Sequence, residues 1–361
     1  MSDPEAGPLR IGGPKPRRRL TGGQSYEHSS AHMSDDPTPL PAPAAADPMA
    51  AHVARLFYVE QLTKQEIAAA TGLSRFKVAR LLEHARAAGI VSIEIRSDAL
   101  IDHRLSQALE RRFGLEHALV ADGYEEAGAT SRDAATRDAV TRVAAAWLPQ
   151  LLHKDDVLGV AWGSTIAGIA AHLPAQTGAR IPVVQLCGAF ANMQRGQGPI
   201  ELTIGIAQSL GGRAHTLPLP AVLGELPLRR EMLRHPAVAE TIQRFGDVTT
   251  ALVSIGSMED KDRSALIGSG GLEPAEFERL RMNGVVGDLL LHPFDGTGHF
   301  IRTPLSDRTV VIAIEQLRQA RVIAVAGGAH KRRAITAALR TGVIDVLVTD
   351  RETAEFVLAE G

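Results

Sequence analysis

At 361 residues, with 45% hydrophobic residues and a formal net charge of −2, the chain is long enough for two domains with a sizeable core. A protein that coats nucleic acid along its whole length would be strongly basic, so any nucleic-acid contact here must be local. One cysteine, Cys187, excludes a disulfide framework within one chain and a cysteine-rich zinc site and fits a reducing cytoplasm, and with no run of 18 or more apolar residues no transmembrane helix is indicated.

Residues 1–47 are rich in Pro, Gly, Ser and Ala without helical or strand period, which predicts a disordered N-terminal tail. Lys15, Arg17, Arg18 and Arg19 are followed by no apolar segment, so a secretory or twin-arginine signal is not expected. Met33-Ser34-Asp35 repeats Met1-Ser2-Asp3, which makes Met33 a second candidate start.

Residues 48–98 read as a helix-turn-helix domain, with or without a wing. Thr63 and Glu66 stand at capping-box spacing and open a helix. Thr71-Gly72-Leu73 breaks it, and Ser74 is a fitting N-cap for a second helix. There Val78, Leu82 and Ala85, with Leu81, form a buried stripe, while Arg75, Phe76, Lys77 and Arg80 gather at the N-terminal end largely off it. Residues 51–96 carry seven Lys/Arg against four Asp/Glu, a net +3 where the whole chain is negative. A recognition helix in the major groove needs this pattern, with base contacts at its head and cations on phosphates. Thr63, Ser74, Arg75, Phe76, Lys77 and Arg80 are therefore the candidate DNA-binding residues. A helical hairpin with a solvated basic face is the plainer alternative.

Residues 90–96 alternate as a half-buried strand would, and an amphipathic helix over 101–113 leads into the second domain, 99–361. Strands are predicted at 117–122, 156–162, 181–188, 248–256, 284–294, 309–314, 321–328 and 344–350, and helices at 133–152, 200–210, 235–245, 272–282 and 329–341. Several strands are apolar on both faces, as parallel strands covered by helices are. The fold class is α/β, a doubly wound, mostly parallel sheet.

Such sheets bind ligands at the carboxyl ends of their strands, so the turns that follow carry the candidate site. They are Gly163-Ser164-Thr165, Gly188-Ala189-Phe190, Gly256-Ser257-Met258, Asp288 with Phe294-Asp295-Gly296-Thr297-Gly298, and Gly327-Gly328-Ala329-His330-Lys331. Free N–H groups at helix starts, the Ser164 and Thr165 hydroxyls and the Lys331 ammonium suit an anion. Asp288 and Asp295 suit ligand hydroxyls. Together they point to a polyhydroxylated ligand carrying an anionic group, most plausibly a sugar phosphate. No phosphate-binding G-x-x-x-x-G-K-[ST] loop and no G-x-S-x-G nucleophile elbow occurs. His292, His299 and His330 lack metal-ligand spacing, Cys187 reads as a buried inert thiol, and Trp162 reads as core or ligand lining. No cofactor or metal is expected.

The sequence resembles the SorC (sorbose-regulator) family of sugar-binding transcriptional regulators over about residues 50–360. LTKQEIAAATGLSRFKVARLLEHARAAGIVSIEI is similar to that family's DNA-binding segment. VLGVAWGSTI, VVQLCGAF, GVVGDLLLHPFDGTG and VIAVAGGAHKRRAITAALRTGVIDVLVTD are similar to the strand–turn blocks of its effector domain. The resemblance implies a bacterial, cytoplasmic, non-catalytic regulator that binds double-stranded operator DNA and a phosphorylated sugar, as a homodimer or homotetramer and without a membrane. Its effector domain would be related to sugar-phosphate isomerases. Phosphate binding would fall on Gly163, Ser164, Thr165 and Lys331, and hydroxyl binding on Asp288 and Asp295, with Gly188, Gly256, Phe294 and Gly327 completing the site. The sequence departs from the family at Gly188-Ala189-Phe190, where two glycines are frequent, which leaves an unphosphorylated sugar or a polyol open. A sugar-phosphate isomerase, aldolase or deaminase, and a protein-interaction module, are the alternatives.

Overall fold

The computed structural model describes residues 47–91, 100–122, 131–175, 178–193, 198–224 and 226–361. They fall into two compact units on either side of residues 97 and 98. Of the expected tail at 1–47, residues 1–46 lie outside the described residues, as does most of the expected strand at 90–96.

Among the described residues the first unit is three helices. Pro48–Tyr58 (α1) starts on Asp47, whose Oδ1 accepts from the Met49 and Ala50 amides at 2.9 and 3.3 Å. Lys64–Thr71 (α2) starts on the capping box, with the Thr63 amide donating to Glu66 at 2.8 Å and the Glu66 amide to Thr63 Oγ1 at 3.3 Å. The Thr63 amide first, and then the Thr63 hydroxyl donating to Glu66 Oε2 at 2.7 Å, hold the Glu66 carboxyl below its ordinary pKa. It ends at Gly72, whose φ is 69°. Arg75–Ala87 (α3) starts on Ser74, whose hydroxyl accepts from the Lys77 amide at 3.2 Å. Ala50, Val53, Ala54 and Leu56 of α1, Ile67 of α2, and Val78, Leu82 and Ala85 of α3 make one small core.

The second unit opens with His103–Phe113 (α4), His117–Ala121 (β1), Arg132–Leu151 (α5), Leu158–Val160 (β2), Ser164–His172 (α6) and Val183–Gln185 (β3). Next come Pro199–Leu210 (α7), Ala214–His215 (β4), Leu226–Arg234 (α8), Pro236–Gln243 (α9), Thr250–Val253 (β5) and Ile255–Ser257 (β6). Then follow Ala265–Gly268 (α10), Pro274–Met282 (α11), Val285–Leu289 (β7), His292–Asp295 (β8), Pro304–Arg308 (α12) and Ile314–Leu317 (α13). Arg321–Val325 (β9), Arg332–Arg340 (α14), Val346–Asp350 (β10) and Arg351–Glu360 (α15) complete it.

Seven strands form one all-parallel sheet in the order β1-β10-β9-β5-β2-β3-β4. Successive side chains on a strand face opposite ways, and Val346, Leu347, Val348 and Thr349 of β10 are all buried, so both faces are covered. From β2 the chain winds outward through β3 to β4, then returns to β5 on the other side of β2. The direction of winding therefore reverses between β2 and β5. Among the described residues no helix is long and apolar enough to cross a membrane.

Three expected strands differ. The segment 284–294 is not one strand but the hairpin β7–β8, which joins β6 in a separate antiparallel sheet. Leu290 and Leu291 take φ of 51° and 65°, and Asp288 Oδ2 accepts from the Leu291 amide at 3.0 Å, which turns the chain back. The segment 248–256 divides into β5 and β6 around Ser254. Residues 309–314 make only isolated bridges, Thr309 to Val222 and Val311 to Cys187, before α13 begins.

Candidate functional site

A cleft of about 380 Å³ opens where the winding direction reverses, at the carboxyl ends of β2, β5 and β9, the place such sheets offer to ligands. Each wall is the turn that follows a strand. After β2, Ala161, Trp162 and Gly163 lead into α6. Gly163 has φ 109° and ψ 173°, a conformation closed to residues with a Cβ. No side chain caps this helix start, and Gly163, Ser164 and Thr165 line the cleft.

After β5, Ser254 and Ile255 lead to Gly256, which pairs with Asp288 across β6 and β7. A Cβ on Gly256 would lie 1.9 Å from Asp288 Oδ1. Any side chain at Gly256 would displace the Asp288 carboxylate from this position. After β9, Gly327 and Gly328 run against Asp350, whose Oδ2 accepts from the Gly328 amide at 2.8 Å. Asp350 also caps α15 through the Thr353 amide at 2.9 Å, so one carboxylate anchors the glycine turn to a helix.

Lys331 donates from Nζ to the Ile255 carbonyl at 2.8 Å. Burial pushes its pKa down to about 8, although the nearby Asp288 charge opposes this. Burial pushes the Asp288 pKa up, against the Leu291 amide and the Lys331 charge. The two charges share a poorly solvated space, and each stabilises the ionised form of the other.

The mouth carries a polar network. Arg263 forms ion pairs with Asp133 and, at 3.4 Å, with Asp260. Its Nη1 also lies 3.5 Å from His330 Nδ1. Burial first, then the Lys331 charge, lowers the His330 pKa. The His330 carbonyl accepts from Ser257 Oγ at 2.7 Å.

Of the effector-site residues expected from sequence, Gly163, Ser164, Thr165, Gly256, Asp288, Gly327 and Lys331 line this one cleft. Gly188, Phe294 and Asp295 do not. Gly188 packs against the Pro220 backbone. Phe294 is fully buried, edge-on to Phe300 at 6.3 Å. Asp295 turns inward on its own loop, where its Oδ1 accepts from the Thr297 and His299 amides at 2.9 and 3.0 Å. Trp162 does line the cleft, and Phe190 stacks on it with ring centroids 4.0 Å apart. Ser257, in an expected turn, also lines the cleft, and among the cleft residues not expected from sequence are Ser131, Asp133 and Arg137 near the start of α5, and Asp260, Arg263, Ser264 and Leu266. The three from α5 follow β1, and inspecting that strand's turn like the others would have found them.

Cys187 is completely buried, which pushes its thiol pKa up. Among the described residues no group of three or more His, Cys, Asp or Glu is placed to hold a metal.

In the helical unit Thr63, Ser74, Arg75, Phe76, Lys77 and Arg80 are all exposed. Arg75, Lys77 and Arg80 pair with no carboxylate among the described residues.

Residues 98–359 match the family model of the "Putative sugar-binding domain". The sorbitol operon regulator of Klebsiella pneumoniae is 32% identical over 314 residues, covering 85% of this chain and 96% of that one. The deoxyribonucleoside regulator of Bacillus subtilis (strain 168) is 28% identical over 304 residues, covering 83% and 94%. The crystal structure of the full-length sorbitol operon regulator SorC from Klebsiella pneumoniae superposes with a TM-score of 0.67 at 28% identity, covering 87% of this chain and 99% of that one.

Proposed function

This chain belongs to the SorC family of sugar-binding transcriptional regulators, and we propose that it is a bacterial regulator of carbohydrate metabolism. In this reading residues 48–98 bind operator DNA and residues 99–361 bind a sugar phosphate, sugar or polyol. The observation that carries it is the cleft between β2 and β5, where the start of α6, Lys331 and Asp288 converge. An anionic group would sit between the α6 amides and the Lys331 ammonium. Ligand hydroxyls would bond to Asp288. The relatives whose names mention sorbitol and deoxyribonucleoside are regulators, and this supports a carbohydrate effector here.

The protein would work in the cytoplasm as a homodimer or homotetramer. Two copies of α3 would then enter half-sites about 34–36 Å apart or a multiple of that. An effector that binds one arrangement of the copies more tightly shifts the population toward it, and with it the spacing of the two helices.

The test is thermal unfolding of the full chain against sugars, polyols and their phosphates. The expected result is a raised midpoint with one compound, reflecting about 2.7 kcal/mol at a hundredfold excess over its Kd. No shift with any member of the panel refutes the effector reading. A second reading, an enzyme acting on a sugar phosphate, is favoured by the shifted Asp288, His330 and Lys331 pKa values in one cleft. Turnover of the stabilising compound by the same protein would establish it.

Arg75→Ala and Lys77→Ala are each expected to weaken duplex binding and to lower its salt slope by about one, since each removes a phosphate contact. Effector binding should not change. Salt titration by fluorescence anisotropy checks this, and wild-type slopes in both variants would remove α3 from the DNA interface.

A further inference from the structure

The helix α3 buries Val78, Leu82 and Ala85. At 3.6 residues per turn, Phe76, Arg80 and Glu83 fall on the opposite side. Phe76 is 86% exposed, the most exposed of the large hydrophobic side chains among the described residues. Among the described residues its ring joins no packing within its own unit, whose small core closes without it. Leaving a phenyl ring in water forgoes the burial that normally stabilises one. Its neighbours Arg75, Lys77 and Arg80 are exposed cations, so the surface it would bury against is anionic.

A duplex meets both requirements. When the head of a helix enters the major groove, its first residues stand at base edges while flanking cations reach phosphates. Phenylalanine has no donor or acceptor with which to read a hydrogen-bonding edge. The one apolar group the major groove displays is the C5-methyl of thymine. We propose that Phe76 selects thymine at one fixed position in each half-site by packing its ring on that methyl group. This rests on α3 being the recognition helix. Arg75, Lys77 and Arg80 set the register on the backbone, and Phe76 supplies an apolar preference that they cannot.

The experiment uses the full chain to select duplexes from a random pool, with and without a mixture of hexitol, pentitol and tetritol phosphates. Each thymine of the selected duplex is then replaced by deoxyuridine, which removes the methyl group and keeps every hydrogen bond. At one position per half-site the wild type should lose about fourfold in affinity, the worth of one buried methyl. Phe76→Ala should bind the thymine and deoxyuridine duplexes alike. Phe76→Leu, which keeps an apolar contact, should retain part of the discrimination. The thermal midpoints of both variants should match wild type, since the replaced ring is exposed. A selected duplex whose deoxyuridine replacements have no effect, or the same effect in Phe76→Ala, overturns the proposal and leaves DNA binding in place. If no duplex is retained in a salt-dependent way under either condition, the recognition-helix reading falls and takes this proposal with it.

Discussion

Lys331→Met should weaken binding of a phosphorylated effector by about 2–3 kcal/mol, roughly 30- to 150-fold, the cost of removing one partner from a poorly solvated charge pair. Binding of a neutral sugar or polyol should change far less, because such a ligand carries no charge for the ammonium to meet, although the variant also loses the Lys331 bond to the Ile255 carbonyl. The wild type should also show a characteristic pH dependence. In the free protein burial pushes the Lys331 pKa down to about 8, from an ordinary 10.5. A bound phosphate favours the ammonium and raises that pKa. Above about pH 8 the complex therefore holds more protons than the free protein, so affinity is full below that range and falls by up to tenfold per unit as pH rises through it. The fall ends at the pKa of the complex. Lys331→Met should flatten the profile. Stability runs the other way. Between about 8 and 10.5 the unfolded chain keeps its lysine charged while the folded one loses the proton, so this group's contribution to stability rises with pH. Calorimetric binding titrations of wild type and variant from about pH 6.5 to 9.5 test the first sign, and their thermal unfolding over the same range tests the second. A flat wild-type profile would take Lys331 out of the anion site.

Gly212→Ala should be among the most damaging single substitutions for stability, although it adds one methyl group. A Cβ there would lie 1.7 Å from the Ile181 carbonyl oxygen and 2.3 Å from its carbon. Those are backbone atoms with little freedom to move. The Gly212 amide donates to Ala207 at 2.9 Å, Val183 donates to Arg213 at 2.9 Å, and Arg180 donates to Leu210 at 2.7 Å. Relieving the clash means parting β3 from β4. The expected loss is about 3–5 kcal/mol, which lowers the midpoint by roughly 6–20 °C in a domain of this size. Gly205→Ala provides the contrast, because it lies inside α7 with open space where its methyl would go. There the better helix propensity of alanine should stabilise by up to about 1 kcal/mol. A thermal scan of both variants decides the matter, and a Gly212→Ala midpoint within a degree or two of wild type would refute the close approach.

Much of the cleft was legible because its chemistry sits directly after strands. Gly163-Ser164-Thr165, Gly256 and Gly327 are short local signals, and a doubly wound sheet brings such turns to one edge whatever the detail of its strands. The ion pair of Arg263 with Asp133 was not legible, since its partners are 130 residues apart and neither sits in a local pattern. The hairpin at 285–295 was hidden for another reason. Its turn is made by Leu290 and Leu291 at positive φ, where glycine or asparagine would have announced it. Residues 309–314 alternate like a strand but find no strand to pair with along their length. A β-propensity states what a segment could do, and the sheet decides whether it has a place. The helix α1 was overlooked even though Asp47-Pro48 is an ordinary start signal.

The sheet order carries a consequence for how the protein is made. β1 ends the order of named strands, and among the described residues its neighbouring strand is β10, with register His117 to Val346 through Ala121 to Asp350. About 220 residues separate the two strands in the chain. At a ribosome's rate of about 5–20 residues per second, β1 emerges roughly 10–45 s before its partner. During that interval its hydrogen-bonding edge has no native strand to meet, and such edges invite pairing with other chains. Closing the sheet is thus a late event that joins an early strand to the last one synthesised. A nascent chain that stalls before β10 would expose this edge to chaperones and to neighbouring nascent chains.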